Sequence, residues 1–289
     1  MREQDVRRLI LTADDFGRSE AVNEGIEIAH RDGVLTSASL MVAEPAAADA
    51  VARARRLPGL KVGLHLTLTD GAPALPPERV RHLVGPDGRF GMDMVGAGAK
   101  MFLHPAARHE LAAEIEAQFR AFAATGLMLD HVDGHRHFHM HPTIAGLTLA
   151  IGRRYGMTAM RAPIEPTLPA VGGAAIGGDP FLSGWARLLG WRVRRAGLTT
   201  ADRVFGTAWS GAMGVDRLET LIVAAPPGLT EIYLHPATAD AFPGSAPGYR
   251  YREDLDALVS LRVRAAVVRS GAVLGGYADF SAGTTGRSS

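Results

Sequence analysis

Residues 8–31 read RLILTADDFGRSEAVNEGIEIAHR, and the reading of this stretch settles the architecture. Arg8 to Ala13 is a short apolar run of strand length that stops at Asp14-Asp15-Phe16-Gly17. Ser19 then stands where a helix cap is needed, ahead of an apolar face made by Val22, Ile26 and Ala29. A second strand-like run, Val34 to Met41, follows the helix, so the unit is strand, crossover helix, strand, which implies parallel pairing.

The same alternation continues outward. Ala46 to Arg56 reads as a helix ended by Pro58-Gly59, and Lys61 to Leu68 as a third strand. Thr69 to about His104 is rich in Pro, Gly and Asp and reads as a long irregular excursion over the surface. Ala107 to Thr125 is the clearest helix, with Leu111, Ile115, Phe119 and Phe122 on one face and Gly126 as its stop. Leu127 to Val132 reads as a strand running into DGHRHFHMHP, followed by a helix through Ile144, Leu147 and Ile151 and a strand from Met157 to Arg161. Ile164 to Asp179 is too rich in Gly and Pro for regular structure and reads as a mobile flap beside the site. A strand from Glu231 to His235 and a last helix from Asp254 to Val268 complete the pattern. The expectation is an α/β fold, a mostly parallel sheet closed or nearly closed into a (β/α) barrel, with one domain over 1–289 and insertions near 69–104 and 164–200.

Composition narrows the function. The 289-residue chain is 47% hydrophobic and 21% charged, as expected of a globular protein. With 31 basic against 30 acidic residues the net charge is +1, so no global field draws it to nucleic acid. It has no cysteine, which removes thiol nucleophiles and thiolate metal sites and leaves His, Asp and Glu as the available metal ligands. The apolar run near the N-terminus is too short for an export signal, and nothing approaches the roughly 20 apolar residues of a membrane span. A cytoplasmic protein is the expectation; the sequence is silent on oligomeric state.

Five inferred strands end at ionisable residues: Asp14-Asp15, His65, the cluster Asp133 to His141, Arg161 and His235. In barrels of this type strand carboxyl ends share one rim, so these residues should converge. Two adjacent carboxylates after an apolar strand are costly without a cation, and both can reach one site only where the strand breaks, as Phe16-Gly17 suggests. Taken alone, the pair also reads as an acidic capping turn, and His65 as a satisfied core histidine. In extended backbone His135, His137, His139 and His141 share a face, but a spacing of two cannot wrap four nitrogens around one ion. One or two would bind metal and the others would contact substrate or support the ligands. An Asp with two His is the set that leaves open positions on a divalent ion, while the spare carboxylate takes a proton from water and His235 protonates a leaving group.

The ordered motifs Leu-Thr-Ala-Asp14-Asp15-Phe-Gly, Gly63-Leu-His65-Leu, Asp133-Gly-His135-Arg-His137-Phe-His139, Met160-Arg161 and Leu234-His235-Pro resemble the YdjC-like carbohydrate deacetylases. Leu75-Pro-Pro-Glu-Arg, Asp130-His-Val, Phe205-Gly-Thr-Ala-Trp-Ser-Gly and Glu231-Ile-Tyr-Leu-His-Pro-Ala-Thr look most like the hopanoid-biosynthesis-associated branch, HpnK. The resemblance implies a distorted TIM barrel of the polysaccharide-deacetylase type and one divalent ion, Zn²⁺ or Mg²⁺, on Asp15, His65 and His135. It further implies Asp14 as general base, His235 as general acid, and Arg161, His137 and His139 as substrate-side residues, with Arg161 orienting either Asp14 or substrate. Arg136 stands where related enzymes carry a histidine, which suits a different substrate. The implied substrate is N-acetylglucosamine on a hopanoid; a soluble chito-oligosaccharide such as diacetylchitobiose is the alternative, and a noncatalytic carbohydrate- or metal-binding protein a second. For a lipid substrate, residues 181–195 matter. On a helix Phe181, Leu182, Trp185, Leu188 and Leu189 share a face opposite Arg187 and Arg194, which reads as peripheral contact with the inner face of the membrane or as a core-packing helix with a solvated Arg face.

Overall fold

The computed structural model of the chain describes residues 6–171, 174–176 and 180–281. In chain order the first elements are β1 (Arg7–Phe16), α1 (Glu20–Arg31), β2 (Ser37–Leu40), α2 (Ala47–Arg56), β3 (Lys61–Leu66), α3 (Met94–Leu103), α4 (Pro105–Ala124), β4 (Leu129–Gly134) and α5 (Pro142–Gly152). They are followed by β5 (Leu168–Val171), β6 (Ala174–Ile176), α6 (Pro180–Arg195), β7 (Arg203–Phe205), α7 (Gly214–Ala224) and β8 (Gly228–Leu234). The chain then forms α8 (Tyr251–Val259), α9 (Leu261–Ser270), β9 (Val273–Leu274) and α10 (Tyr277–Phe280).

The main sheet runs β4-β3-β2-β1-β8-β7 with every pairing parallel, and β9 adds to the first half of β1. Beyond β4 the chain continues the curl through parallel bridges from Val132 to Met160 and from Ala159 to Thr199. Beyond β7, Val204 donates its N–H to the Ile164 carbonyl. The result is a curled, barrel-like parallel sheet with helices outside, the expected α/β class. Strand and helix faces meet in one extended apolar core that includes Leu9, Ile26, Leu64, Phe119, Ile144 and Leu258.

Local chemistry explains how the strand ends are held. Gly17 turns the chain at φ 97°, where an L side chain would be strained, and its N–H donates to Asn23 Oδ1 on the following helix. Ser19 caps α1 by accepting from the Val22 N–H, and α1 buries Val22, Ile26 and Ala29. Gly25 lets that helix touch the chain just after β8, because a Cβ there would lie 2.7 Å from Ala237 Cα. In the β3–β4 register His65 lies directly across from Asp133, so their side chains are neighbours on one face.

Five expectations change. The excursion after Thr69 is not wholly irregular: Asp93 caps α3 by accepting from Gly96, and residues 94–103 are helical. Its looped part is stitched down by carboxylates, with Glu114 accepting from Ala74 and Leu75 and Glu44 accepting from Ala72. The long helix starts at Pro105, an N1 proline behind the His104 cap, earlier than its apolar periodicity shows. Met157 to Arg161 makes isolated bridges in place of a full strand. Part of Ile164 to Asp179 is regular, since β5 and β6 pair as an antiparallel hairpin; residues 172–173 and 177–179 of the expected flap lie outside the described residues. The last helix is two helices, broken at Ser260, whose extended backbone caps α9.

Candidate active site

The strand ends converge on a cavity of about 200 Å³ lined by Asp14, Asp15, His65, His135, His137 and His235 among others. Asp15 sits at φ 67°, in the left-handed region, and the β1–β2 register shifts between Ala13 and Phe16. That break turns two consecutive carboxylates into the same cavity, which a regular strand could not do. The irregularity therefore falls within β1 at Asp14-Asp15, just before the predicted Phe16-Gly17, and pairing resumes at Phe16 opposite Leu40.

Asp15, His65 and His135 each offer a ligand-type atom, all within 4.8 Å of one another, and all three are buried. Asp15 Oδ1 lies 2.9 Å from His135 Nδ1 and 3.4 Å from His65 Nε2, yet makes no hydrogen bond. A buried carboxylate oxygen with two imidazole nitrogens at this range and no hydrogen bond is the donor set expected around a cation. His65 is oriented from behind: its Nδ1 lies 2.8 Å from Asp133 Oδ1, so an Nδ1–H donated there leaves the Nε2 lone pair facing Asp15. His135 differs: its Nε2 lies 3.3 Å from Arg18 Nη1, which can only donate, with Asp70 Oδ2 farther off at 3.6 Å.

The charges agree with a site built for positive charge. Burial works to lower His65, but Asp133 first, then Asp15 and Asp14, push it up to about 10. Burial similarly opposes ionisation of Asp15, yet His135 and His65 hold it well below the usual carboxylate range. His135 is itself raised against its burial by Asp15 and Asp70. A divalent ion competing for these atoms would displace the protons that otherwise fill the cluster.

A second geometric group, Asp14, His65 and Asp133, is equally close but chemically different. Both Asp14 oxygens are already taken by Arg161, Nη1 to Oδ2 at 2.7 Å and Nη2 to Oδ1 at 2.8 Å. The same guanidinium reaches Asp133 Oδ2 at 2.7 Å and Glu231 Oε1 at 2.9 Å. Arg161 is 0% exposed and does not line the cavity. Of the two roles expected for it, orienting Asp14 is consistent with its position, while direct substrate contact is not.

The histidine cluster departs from the expected extended backbone. Residues 135–140 form a tight turn, with Arg136 at φ 53° and His137 at φ 56°, so the histidines fan out in different directions. His135 joins Asp15. His137 lines the cavity beside Tyr233, with Nε2 3.0 Å from the phenol oxygen. His139 turns away: its Nε2 lies 3.0 Å from the Arg161 carbonyl, and it does not line this cavity. Burial drives its pKa down to about 4, which keeps it neutral. His235 lines the cavity with Nδ1 bonded to nothing, its backbone N–H donating to Asp254 Oδ2 at 3.0 Å.

Sequence reading passed over several wall residues. Arg18, Asp70, Tyr233 and Tyr249 complete the cavity. Arg136 donates to Asp70 at 2.9 Å, and Arg136, His135 and Arg18 draw the Asp70 carboxyl below its ordinary range against partial burial. One signal was present: Glu231 is a charged residue in an otherwise apolar strand, and such a residue calls for a buried partner, here Arg161.

Known proteins place the chain among relatives. Residues 8–269 match the family described as YdjC-like protein. A carbohydrate deacetylase of Geobacillus stearothermophilus is 32% identical over 95% of this chain and 98% of its own length. One from Brevibacillus brevis is 43% identical over 51% of this chain, but the aligned part spans only 56% of that protein, about half its length. The crystal structure of a candidate cellobiose-phosphate cleavage protein from Enterococcus faecalis superposes with a TM-score of 0.75 at 27% identity, covering 96% of this chain and 99% of that one. Motif order, barrel-like fold and near full-length similarity agree: the chain belongs to the YdjC-like protein family.

Proposed function

We propose that this chain is a divalent-metal-dependent hydrolase that removes the N-acetyl group from an N-acetylglucosamine unit carried on a hopanoid. The observation that carries the reading is the division of labour at one rim. Asp15 Oδ1, which has no hydrogen bond, faces one ring nitrogen each of His65 and His135, and Asp14 stands beside them in an Arg161 clamp. The carbohydrate deacetylases among its relatives supply the reaction class.

Asp15, His65 and His135 would hold the ion, Zn²⁺ or Mg²⁺. When bound, the ion supplies Lewis-acid polarisation of the acetyl carbonyl and acidifies water. Asp14 takes a proton from the attacking water; the bidentate Arg161 pair holds that carboxylate in place. As the water oxygen bonds to the carbonyl carbon and the C–N bond breaks, His235 delivers a proton to the departing nitrogen. Acetate and the free amino sugar leave. His137 faces the substrate from the wall it shares with Tyr233. Arg136, paired with Asp70 at the mouth, suits selection among sugar carriers.

For a lipid-borne sugar, α6 supplies the encounter surface. Leu182, Leu188 and Trp191 are exposed on it beside Arg187, whereas Leu189 turns into the core. We place that contact at the inner face of the cytoplasmic membrane.

Incubation of the protein with N-acetylglucosaminyl bacteriohopanetetrol and with diacetylchitobiose, with and without chelator, tests the reading by mass spectrometry. Loss of acetyl from the hopanoid that stops with chelator is expected. Turnover of the chitobiose alone would move the substrate to soluble oligosaccharides, and binding of either without acetate release would leave a noncatalytic protein.

A further inference from the structure

The catalytic cavity has a neighbour of opposite character. On the far side of His137 lies an open groove of about 480 Å³ between α3, the 135–140 turn and α6. Val95 and Phe102 of α3, Phe138 and Met140 of the turn, and Leu182 and Trp185 of α6 shape it. Among the described residues, no Asp, Glu, Lys or Arg lines this groove, whereas Asp14, Asp15, Arg18 and Asp70 line the cavity next door. His137 belongs to both walls, so the charged cavity and the apolar groove adjoin at this side chain. Gly98 lets α3 approach the 135–141 segment closely, since a Cβ there would lie 3.1 Å from the His141 ring.

From this juxtaposition we propose that the groove is the binding site for the apolar aglycone of an amphiphilic sugar whose acetamido end occupies the catalytic cavity. The proposal rests on the deacetylase reading for the sugar end and adds the residues that select the other end. A partner protein or a bare membrane surface would need no continuity with the catalytic cavity; a single amphiphile does. The groove also remains exposed where a chain could lie: Val95 is 85% exposed, Phe102 63% and Leu182 42%. Apolar side chains left in water along a trough open to a charged cup gain only when an apolar ligand covers them.

The test compares octyl and methyl glycosides of N-acetylglucosamine, below the micelle concentration of the former, on the full-length chain supplied with Zn²⁺. Affinity is read by calorimetry and acetate release separately by mass spectrometry. Burial of several methylenes should make the octyl glycoside bind at least about 10-fold more tightly than the methyl. In a Val95→Asp, Phe102→Ala variant that ratio should fall to near one; both side chains are solvent-facing, and circular dichroism checks the fold. Equal binding of the two glycosides by the unmodified protein, or an undiminished ratio in the variant, overturns the groove assignment. Octyl preference without acetate from either glycoside would support the groove and sink the deacetylase reading. Acetate from both with no octyl preference would do the reverse.

Discussion

Asp14 and Asp15 are adjacent in sequence and opposite in bonding. Asp14 spends both oxygens on Arg161, while Asp15 Oδ1 has no hydrogen bond and faces two imidazoles. Amide substitution separates the two roles. Asp14→Asn should lower turnover by about 10²- to 10⁴-fold, the usual contribution of a positioned base, while zinc affinity measured by calorimetry stays within a few-fold of the parent. Asp15→Asn should weaken zinc by more than the roughly 10- to 100-fold that loss of an outer partner costs. If Asp14→Asn loses the metal as completely as Asp15→Asn, Asp14 belongs to the ligand set and another group must serve as base.

At the scale of the element, β4 carries two buried polar groups joined through Ser39, whose hydroxyl contacts His131 and donates to Asp133 Oδ2 at 2.9 Å. Asp133 points to His65 and Arg161, while Asp130 and His131 form a pair at 2.9 Å in the interior, with His131 Nε2 3.0 Å from Ser39 Oγ. Gly63 is required beside this pair, because any Cβ there would run into the His131 ring. Burial works to lower His131, but the Asp130 hydrogen bond and the charges of Asp133, Asp130 and Glu231 raise it overall. Asp130 is lowered despite its burial by the same partner. Because the folded pKa of His131 is raised, its contribution is fully present below its unfolded value of about 6.5 and is lost as pH climbs through the folded value. Asp130 contributes above about 3.9 and fades as pH falls through its lowered folded value. The stability gap between the parent and His131→Gln in urea titrations should therefore be widest near pH 5–6 and narrow toward pH 9. A gap that does not change across that range would show that His131 keeps one protonation state on unfolding.

The elements that carry the rim were legible because each ends an apolar run with an ionisable residue: Asp14 near the end of β1, His65 in β3, Asp133 in β4 and His235 after β8. What the sequence concealed has physical causes. Residues 94–103, MVGAGAKMFL, contain two glycines and no clear polar face, so α3 carries little periodic signal. The break at Ser260 has neither Gly nor Pro to announce it. The fan of histidines depends on positive φ at two consecutive non-glycine residues, Arg136 and His137, so no glycine marks the turn. Arg161 looked available to substrate because its three carboxylate partners come from distant strands, a pairing only the tertiary fold brings about.

Over the whole molecule, floor and rim are joined by one buried polar chain. The Tyr277 phenol donates to Glu231 at 2.6 Å, Glu231 holds Arg161, and Arg161 clamps Asp14, so α10 and the general-base candidate share a network. Other parts of the molecule face outward. No helix among the described residues is long and apolar enough to cross a membrane. On α6, Ala186, Leu189 and Val193 pack inward while Trp191 remains 56% exposed near Arg187, an arrangement suited to lying on a surface. Anionic vesicles should sediment the intact protein and release a Trp191→Ala, Arg187→Ala variant. Equal sedimentation of both would remove α6 from any role at a bilayer.

The left-handed backbone at Asp15 bears on how this centre can be redesigned. A randomised library at that codon would be filtered twice, first by conformation and then by chemistry. Gly, Asn and Asp tolerate such dihedrals most readily, and of these only Asp brings an anionic oxygen. Swapping in glutamate would have to begin by rebuilding the bend, so engineering of the proposed metal preference is better directed at His65 and His135, whose backbones carry no such demand.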